Sequence, residues 1–189
     1  FESAKANSDL IVYAFEPNLR VATQRIGLLP NFIIIPMAVA QQDGCANFYI
    51  NTYDAASSLL PLNPEGLKHW IGGETLRVEC EVCVPTVRLD TFMDWMRIST
   101  VRYLKIDAQG GDLSVIKSAG DRLKDIHKIS LEVQTTPVPL YVGASNKDEI
   151  VDYLEKAGFL LISCEKQSND QEENLTFVKR LASTTQGAT

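Results

Sequence analysis

The sequence predicts a doubly wound α/β domain whose mostly parallel sheet closes on a C-terminal antiparallel strand pair. Three features predict it. Short apolar runs alternate with segments of helical spacing, and acidic residues stand at the ends of several of those runs. The last two runs, residues 159–164 and 175–178, are joined only by the polar stretch 165–174. A parallel crossover needs about a dozen residues or more, so this closing pair is antiparallel.

Residues 9–15 form a near-continuous apolar run that reads as a strand covered on both faces, ending in Glu16-Pro17-Asn18. A helix over 18–29 follows, opened by Pro17 or Asn18. Residues 31–40 make a second buried strand, interrupted by Pro36 and ending at Met37-Ala38-Val39-Ala40. Gln42-Asp43-Gly44 is a turn signal, with a short strand over 46–50 behind it. Residues 51–74, rich in proline and glycine, are the least regular; such stretches in compact domains are binding loops, lids or disordered.

Strand pattern resumes over 75–87, with Pro85 marking an edge or a bend. Residues 89–96 carry apolar side chains at helical spacing, with Trp95 as a core anchor. The central stretch is Tyr103-Leu104-Lys105-Ile106-Asp107-Ala108-Gln109-Gly110-Gly111-Asp112, a buried strand, a tight turn and the start of a helix over 112–124. The strand over 128–134 again places a carboxylate, Glu132, near its exit. After a proline-rich loop over 135–144, Ser145 or Asn146 caps a helix that runs through Ala157 and stops at Gly158.

At 189 residues the chain reads as one domain over 1–181 with a disordered tail over 182–189. The net charge of -6 argues against a nucleic-acid partner, which would want the opposite sign. No apolar run approaches the roughly 20 residues of a membrane helix, and no signal peptide is visible. The expected location is cytoplasmic. Cys80-Glu81-Val82-Cys83 has the spacing of a metal or redox pair, but on a strand residues three apart face opposite ways. Reduced, packed thiols are the expectation for Cys45, Cys80, Cys83 and Cys164.

In open α/β sheets ligands bind beyond the carboxyl ends of the strands, which makes Asp107 the first candidate for chemistry. Asp112 reads equally as a helix cap. Lys105 shares the face of Asp107 and could tune it, and Glu132 is the alternative base. Glu16, at the end of the first strand, suits a ribose-binding carboxylate as well as a charge at a helix start. Asp107, Asp112 and Glu132 together offer oxygen ligands for a divalent ion, although a metal-free site is favoured. His69, in the irregular loop, could serve as a base but reads as simply exposed, and His127 precedes a strand.

Tyr13-Ala14-Phe15-Glu16-Pro17-Asn18, Ala38-Val39-Ala40 with Asp43-Gly44, Ser57-Ser58-Leu59, Arg88-Leu89-Asp90-Thr91-Phe92, Lys105 to Asp112 and Leu131-Glu132-Val133 occur in the order of the FkbM-like methyltransferases. The closing Asn174-Leu175-Thr176-Phe177-Val178-Lys179 fits too, so the chain resembles that family over nearly its whole length. The resemblance implies a class I, Rossmann-like fold and an O-methyltransferase that uses S-adenosylmethionine on a small molecule or sugar. It implies that Glu16, with Pro17 and Asn18 beside it, holds the ribose. Met37, Ala38 and Val39 would lie near the adenine, and Asp107 beside the methyl donor.

Three departures stand out. The family's opening strand and Asp-x-Gly-Ala-Asn-x-Gly loop are absent, and no two glycines here are spaced G-x-G. The family's Glu-Gly-x-Glu appears as Gln109-Gly110-Gly111-Asp112. The expectation is an N-terminally truncated domain lacking its first strand and glycine loop. Two other functions compete: a non-catalytic binding module derived from this fold, and a nicotinamide-dependent oxidoreductase, which the missing G-x-G-x-x-G disfavours.

Overall fold

The structure, a computed structural model, describes residues 2–180, and for Ser3 its backbone alone. The tail expected over 182–189 lies outside the described residues. The α/β class is as predicted, but the described strands fall into three sheets rather than one. After a short helix α1 (Glu2–Ala6), β1 (Val12–Phe15) pairs in parallel with β2 (Phe32–Ile35). Between them α2 covers only Leu19–Thr23, shorter than the 18–29 expected. Asn18 caps it by accepting the Arg20 N–H at 3.1 Å, and Gly27 at φ 76° and Pro30 keep the remainder from helix.

The strand expected over 31–40 is two strands. At Pro36 the chain makes a three-residue turn, in which Met37 N–H donates to Ile35 C=O at 2.8 Å. β3 (Ala38–Val39) then joins a second sheet, parallel to β5 (Val78–Val87), on whose other side β4 (Gly44–Asn51) runs antiparallel. β5 is therefore a middle strand. Pro85 is tolerated there because pairing with β3 begins one residue later, at Thr86.

Residues 51–74 are more ordered than expected. They hold a 3-10 turn at Asp54–Ala56, α3 (Pro64–His69) and a second 3-10 turn at Gly73–Thr75. Asn63 starts α3, accepting from Glu65 N–H at 3.1 Å and donating to Pro139 C=O at 2.9 Å. A side chain at Gly66 would meet the Pro139 oxygen at 2.1 Å, so α3 docks tightly on the proline-rich loop.

α4 (Leu89–Trp95) buries Leu89, Phe92 and Met93, and the Tyr13 and Phe15 rings meet Phe92 edge-on. Trp95 is not the core anchor expected of it: it is 62% exposed, because it lies off the stripe set by positions 89, 92 and 93. The third sheet contains β6 (Leu104–Lys105), β7 (Lys128–Gln134), β9 (Glu172–Lys179) and β8 (Phe159–Gln167), in that order. β6 and β7 are parallel, while β9 runs antiparallel to both β7 and β8, which is the closing pair read from the short connection.

α5 stops at Lys117 (Asp112–Lys117) and gives way to a 3-10 segment at Gly120–Asp125, short of the helix expected to 124. α6 (Lys147–Lys156) starts on an Asn146–Glu149 capping box and ends before Gly158 at φ 85°. The main core packs α4, α5 and α6 on the third sheet around Met93, Ile116, Ile129, Leu131, Leu154, Phe159 and Phe177. All four cysteines are exposed and none forms a disulfide; they are not packed, since the outer faces of β4, β5 and β8 have no covering layer. Cys83 neighbours Cys45 across the β4–β5 ladder, which raises its thiol pKa. Among the described residues no helix is long and apolar enough to cross a membrane.

Candidate active site

β6 ends by burying Ile106 against β7, where its N–H reaches Ser130 C=O at 2.8 Å. Alternation then turns Lys105 and Asp107 outward together, with Nζ and Oδ2 3.7 Å apart. The chain reverses through Gln109 at φ 48° and Gly110 at φ 86°. Only glycine enters that region freely, so a left-handed glutamine needs outside support.

Gln109 has that support on every side. Its Nε2 donates to Asp107 Oδ1 at 2.8 Å and to Glu132 Oε2 at 3.4 Å. Its Oε1 lies 2.9 Å from the Tyr141 hydroxyl, and its backbone carbonyl accepts from Ser58 Oγ at 2.8 Å. The Tyr141 hydroxyl, on a fully buried ring, is also 2.9 Å from Ala56 C=O, and burial pushes its ionisation far up. A side chain at Gly110 would press on Ala144 and the Tyr141 ring at 3.0 and 3.2 Å.

Asp112 opens α5 but does not cap it, because the cap position is Gly111 and carries no side chain. It is 3% exposed, and among the described residues its Oδ1 has no hydrogen-bond partner. Burial, then the nearby charge of Asp107, pushes its pKa up to about 7. Glu132 on β7 is half-buried and also reaches about 7, through burial first and then Glu172 and Asp107. Glu172, buried at the start of β9, accepts from Ser168 Oγ at 2.5 Å and is in hydrogen-bond contact with Glu132. Burial raises its pKa as well. Asp112, Glu132, Glu172, Gln109, Gln134 and Ser145 line a cavity of about 10 Å³.

Glu16 forms a separate station. Its N–H closes the β1–β2 ladder on Ile35 C=O, and Oε1 accepts the Asn18 N–H at 2.8 Å across Pro17. Burial raises its pKa against that hydrogen bond. Asn18 is buried and donates from Nδ2 to Asp54 Oδ1 at 3.1 Å. Met37 is half-buried in its turn; Ala38 packs on Phe48, Ile50 and Val84, and Val39 reaches the main core.

Lys105, Asp107 and Glu132 are thus one cluster, and among the described residues no hydrogen bond joins them to Glu16. The segment 54–58 spans both stations: Asp54 accepts from Asn18, Ala56 lies against Tyr141, and Ser58 holds Gln109. Ser58, Gln109, Tyr141 and Glu172 were not singled out as site residues from sequence. Ser58 and Gln109 stand in stretches that carry the family resemblance, while only a lone tyrosine in a proline-rich loop and a Glu172-Glu173 pair mark the other two. His69 is exposed, 3.5 Å from Glu65, and His127 is exposed. Among the described residues no three His, Cys, Asp or Glu side chains are grouped to hold a metal ion, and Asp107, Asp112 and Glu132 are not such a set.

Compared with family models, residues 1–161 match the methyltransferase FkbM domain. The chain belongs to the FkbM methyltransferase family. That agrees with the motif order of the sequence, and the match includes Glu16, Asp107 and Glu132 while stopping within β8, before Glu172. Curated proteins gave no match.

Proposed function

We propose that this methyltransferase uses S-adenosylmethionine to methylate a hydroxyl of a small molecule or sugar. The observation that carries this reading is the Asp107–Gln109–Glu132 bridge at the ends of β6 and β7. A cofactor diol wants a carboxylate with an oxygen to spare, and Glu16 fits. One of its oxygens accepts the Asn18 N–H, and among the described residues the other has no hydrogen-bond partner. Glu16, Pro17 and Asn18 would hold the ribose, and Met37, the Ala38 backbone and Val39 the adenine.

When bound, the cofactor supplies an electrophilic methyl group whose bond to sulfur breaks as the acceptor oxygen bonds to it. The protein's part is mostly placement, which supplies roughly 7–11 kcal/mol when two reactants are held in line. Asp107, exposed at the strand exit, accepts the acceptor's hydroxyl hydrogen bond and takes its proton as the new bond forms. Lys105 and the Gln109 amide hold the two Asp107 oxygens from either side, fixing its direction. Glu132, linked through the same amide, is the second carboxylate able to receive that proton.

Calorimetry with S-adenosylhomocysteine and with NAD tests the cofactor, followed by turnover on a panel of hydroxylated acceptors. Binding of the first alone, with methyl transfer to an acceptor oxygen, is the expected result. Binding of NAD would overturn the reading, and cofactor binding without turnover across the panel would favour a non-catalytic module.

A further inference from the structure

We propose that the acceptor carries a primary ammonium group, and that the cavity between Asp112, Glu132 and Glu172 receives it. This names the substrate class of the methyl-transfer site and rests on that reading for calling the ligand an acceptor. The cavity, about 10 Å³, has room for one water-sized group. Three elements, α5, β7 and β9, each contribute an acidic residue to its lining, and no basic side chain is among the lining residues. Asp112 is one of the lining residues, and among the described residues its buried Oδ1 has no hydrogen-bond partner.

An ammonium head is the group that fits. It is the size of a water, carries the missing positive charge and offers three N–H donors to three carboxyls. A guanidinium or quaternary ammonium is too large for the space, and the latter has no donor. The titratable groups coupled to these carboxyls from the surrounding elements are Lys105 on β6, Asp107 just beyond its end and Tyr141 in the proline-rich loop, while the apolar Ile150 on α6 lines the cavity. Lys105 is the cation acting on the three carboxyls, and it is already paired with Asp107. Gln109 lines the cavity and touches Asp107, so an amine held by the carboxyls leaves the hydroxyls of a short amino alcohol or amino sugar beside the proposed base.

A bound cation favours the charged carboxylates, so protons held by Asp112 and Glu132 at neutral pH leave on binding. The test titrates the full chain with D-glucosamine and ethanolamine, each against its neutral counterpart, D-glucose, N-acetyl-D-glucosamine or ethylene glycol. Calorimetry in two pH 7 buffers of different ionisation enthalpy reads the proton release. An amine should bind at least about ten-fold tighter than its counterparts, with proton release that disappears by pH 9. Glu172→Gln, checked for folding by its melting curve, should erase that preference; if it does not fold, Asp112→Asn replaces it.

Equal binding of amine and neutral compound, no proton release, or a preference that survives both variants overturns the proposal. S-adenosylhomocysteine binding is measured on the same protein. Amine preference without it would sink the methyl-transfer reading alone, and the reverse result would sink the amine pocket alone.

Discussion

In β7 and β9 the inward side chains Ile129, Leu131, Val133, Leu175 and Phe177 are all but sealed, whereas in β1 and β2 only Phe32 is buried, and Ile11, Leu19, Ile26, Leu28 and Ile33 around them stay exposed. The two regions each present an acidic residue near a strand exit, Glu132 in the first and Glu16 in the second. In the sealed frame, carboxyls crowd one another, and burial plus like charge holds Asp112 and Glu132 near neutrality. In the open frame Glu16 is answered locally, by the N–H two residues on. A rigid frame can thus concentrate charge for proton transfer, while a looser ribbon supplies a single acceptor for binding.

The largest effect should come from the sealed side. Asp107→Asn should lower kcat by about 10² to 10⁴-fold while leaving S-adenosylhomocysteine affinity within about two-fold, as expected for removal of a general base. Steady-state kinetics and calorimetry separate the two. A fully active Asp107→Asn enzyme would move the base to Glu132. The frames themselves should differ next: Phe177→Ala should cost about 3–5 kcal/mol in urea unfolding, and Ile33→Ala less than about 1 kcal/mol. Equal losses would mean that β1–β2 is as firmly packed as the third sheet.

Much of this contrast was legible in the sequence, and some was not. Residues 128–134 read as a strand because Ile129, Leu131 and Val133 alternate with polar residues, and α6 declared itself by Asn146, Glu149 and Gly158. Local signals fix such elements. Pro36 was visible, but its effect was not: only the partners of β2 and β3, far apart in the chain, show that it divides two sheets. Asp107, Glu132 and Glu16 were singled out because strand exits can be located from pattern. Gln109, Tyr141 and Glu172 were not, since beyond the local Gln109–Asp107 bond the contacts of the first two span 23 to 85 residues of sequence. The cysteines were misjudged for a related reason, as no local pattern tells which sheet face will be covered.

Raised carboxyl pKa values give the sealed side a pH signature. Asp112 and Glu132 bind protons more tightly folded than unfolded, so their contribution to stability is full below about pH 4, falls as pH rises through about 7 and is flat above. Urea midpoints measured from pH 4 to 8 should drop accordingly. Asp112→Asn should flatten the slope and stabilise the protein by roughly 2–4 kcal/mol at pH 8. A midpoint that rises over this range would contradict the burial of Asp112. On the open side Glu16→Ala should weaken S-adenosylhomocysteine binding by about ten- to a hundred-fold, the loss of charged hydrogen bonds to a diol, without moving the urea midpoint as far. Unchanged affinity would leave Glu16 as a turn residue only.

The smallest effect expected lies at the junction of the two regions, on α4, whose inner face takes the aromatic rings of β1. Trp95 is the largest side chain on that helix and stands mostly in water, while Met93, two residues earlier, is fully buried. Size and hydrophobicity favour Trp95 as the anchor, yet helical phase favours Met93, because only positions 89, 92 and 93 fall on one stripe. Trp95→Ala should therefore shift stability by no more than about 0.5 kcal/mol, against about 2–5 kcal/mol for Met93→Ala. The difference in fluorescence between wild type and Trp95→Ala isolates the emission of Trp95 from that of half-buried Trp70. An emission at the wavelength of a free indole in water agrees with the exposed placement; a blue-shifted band together with a large stability loss would mean that α4 turns its other face to the core.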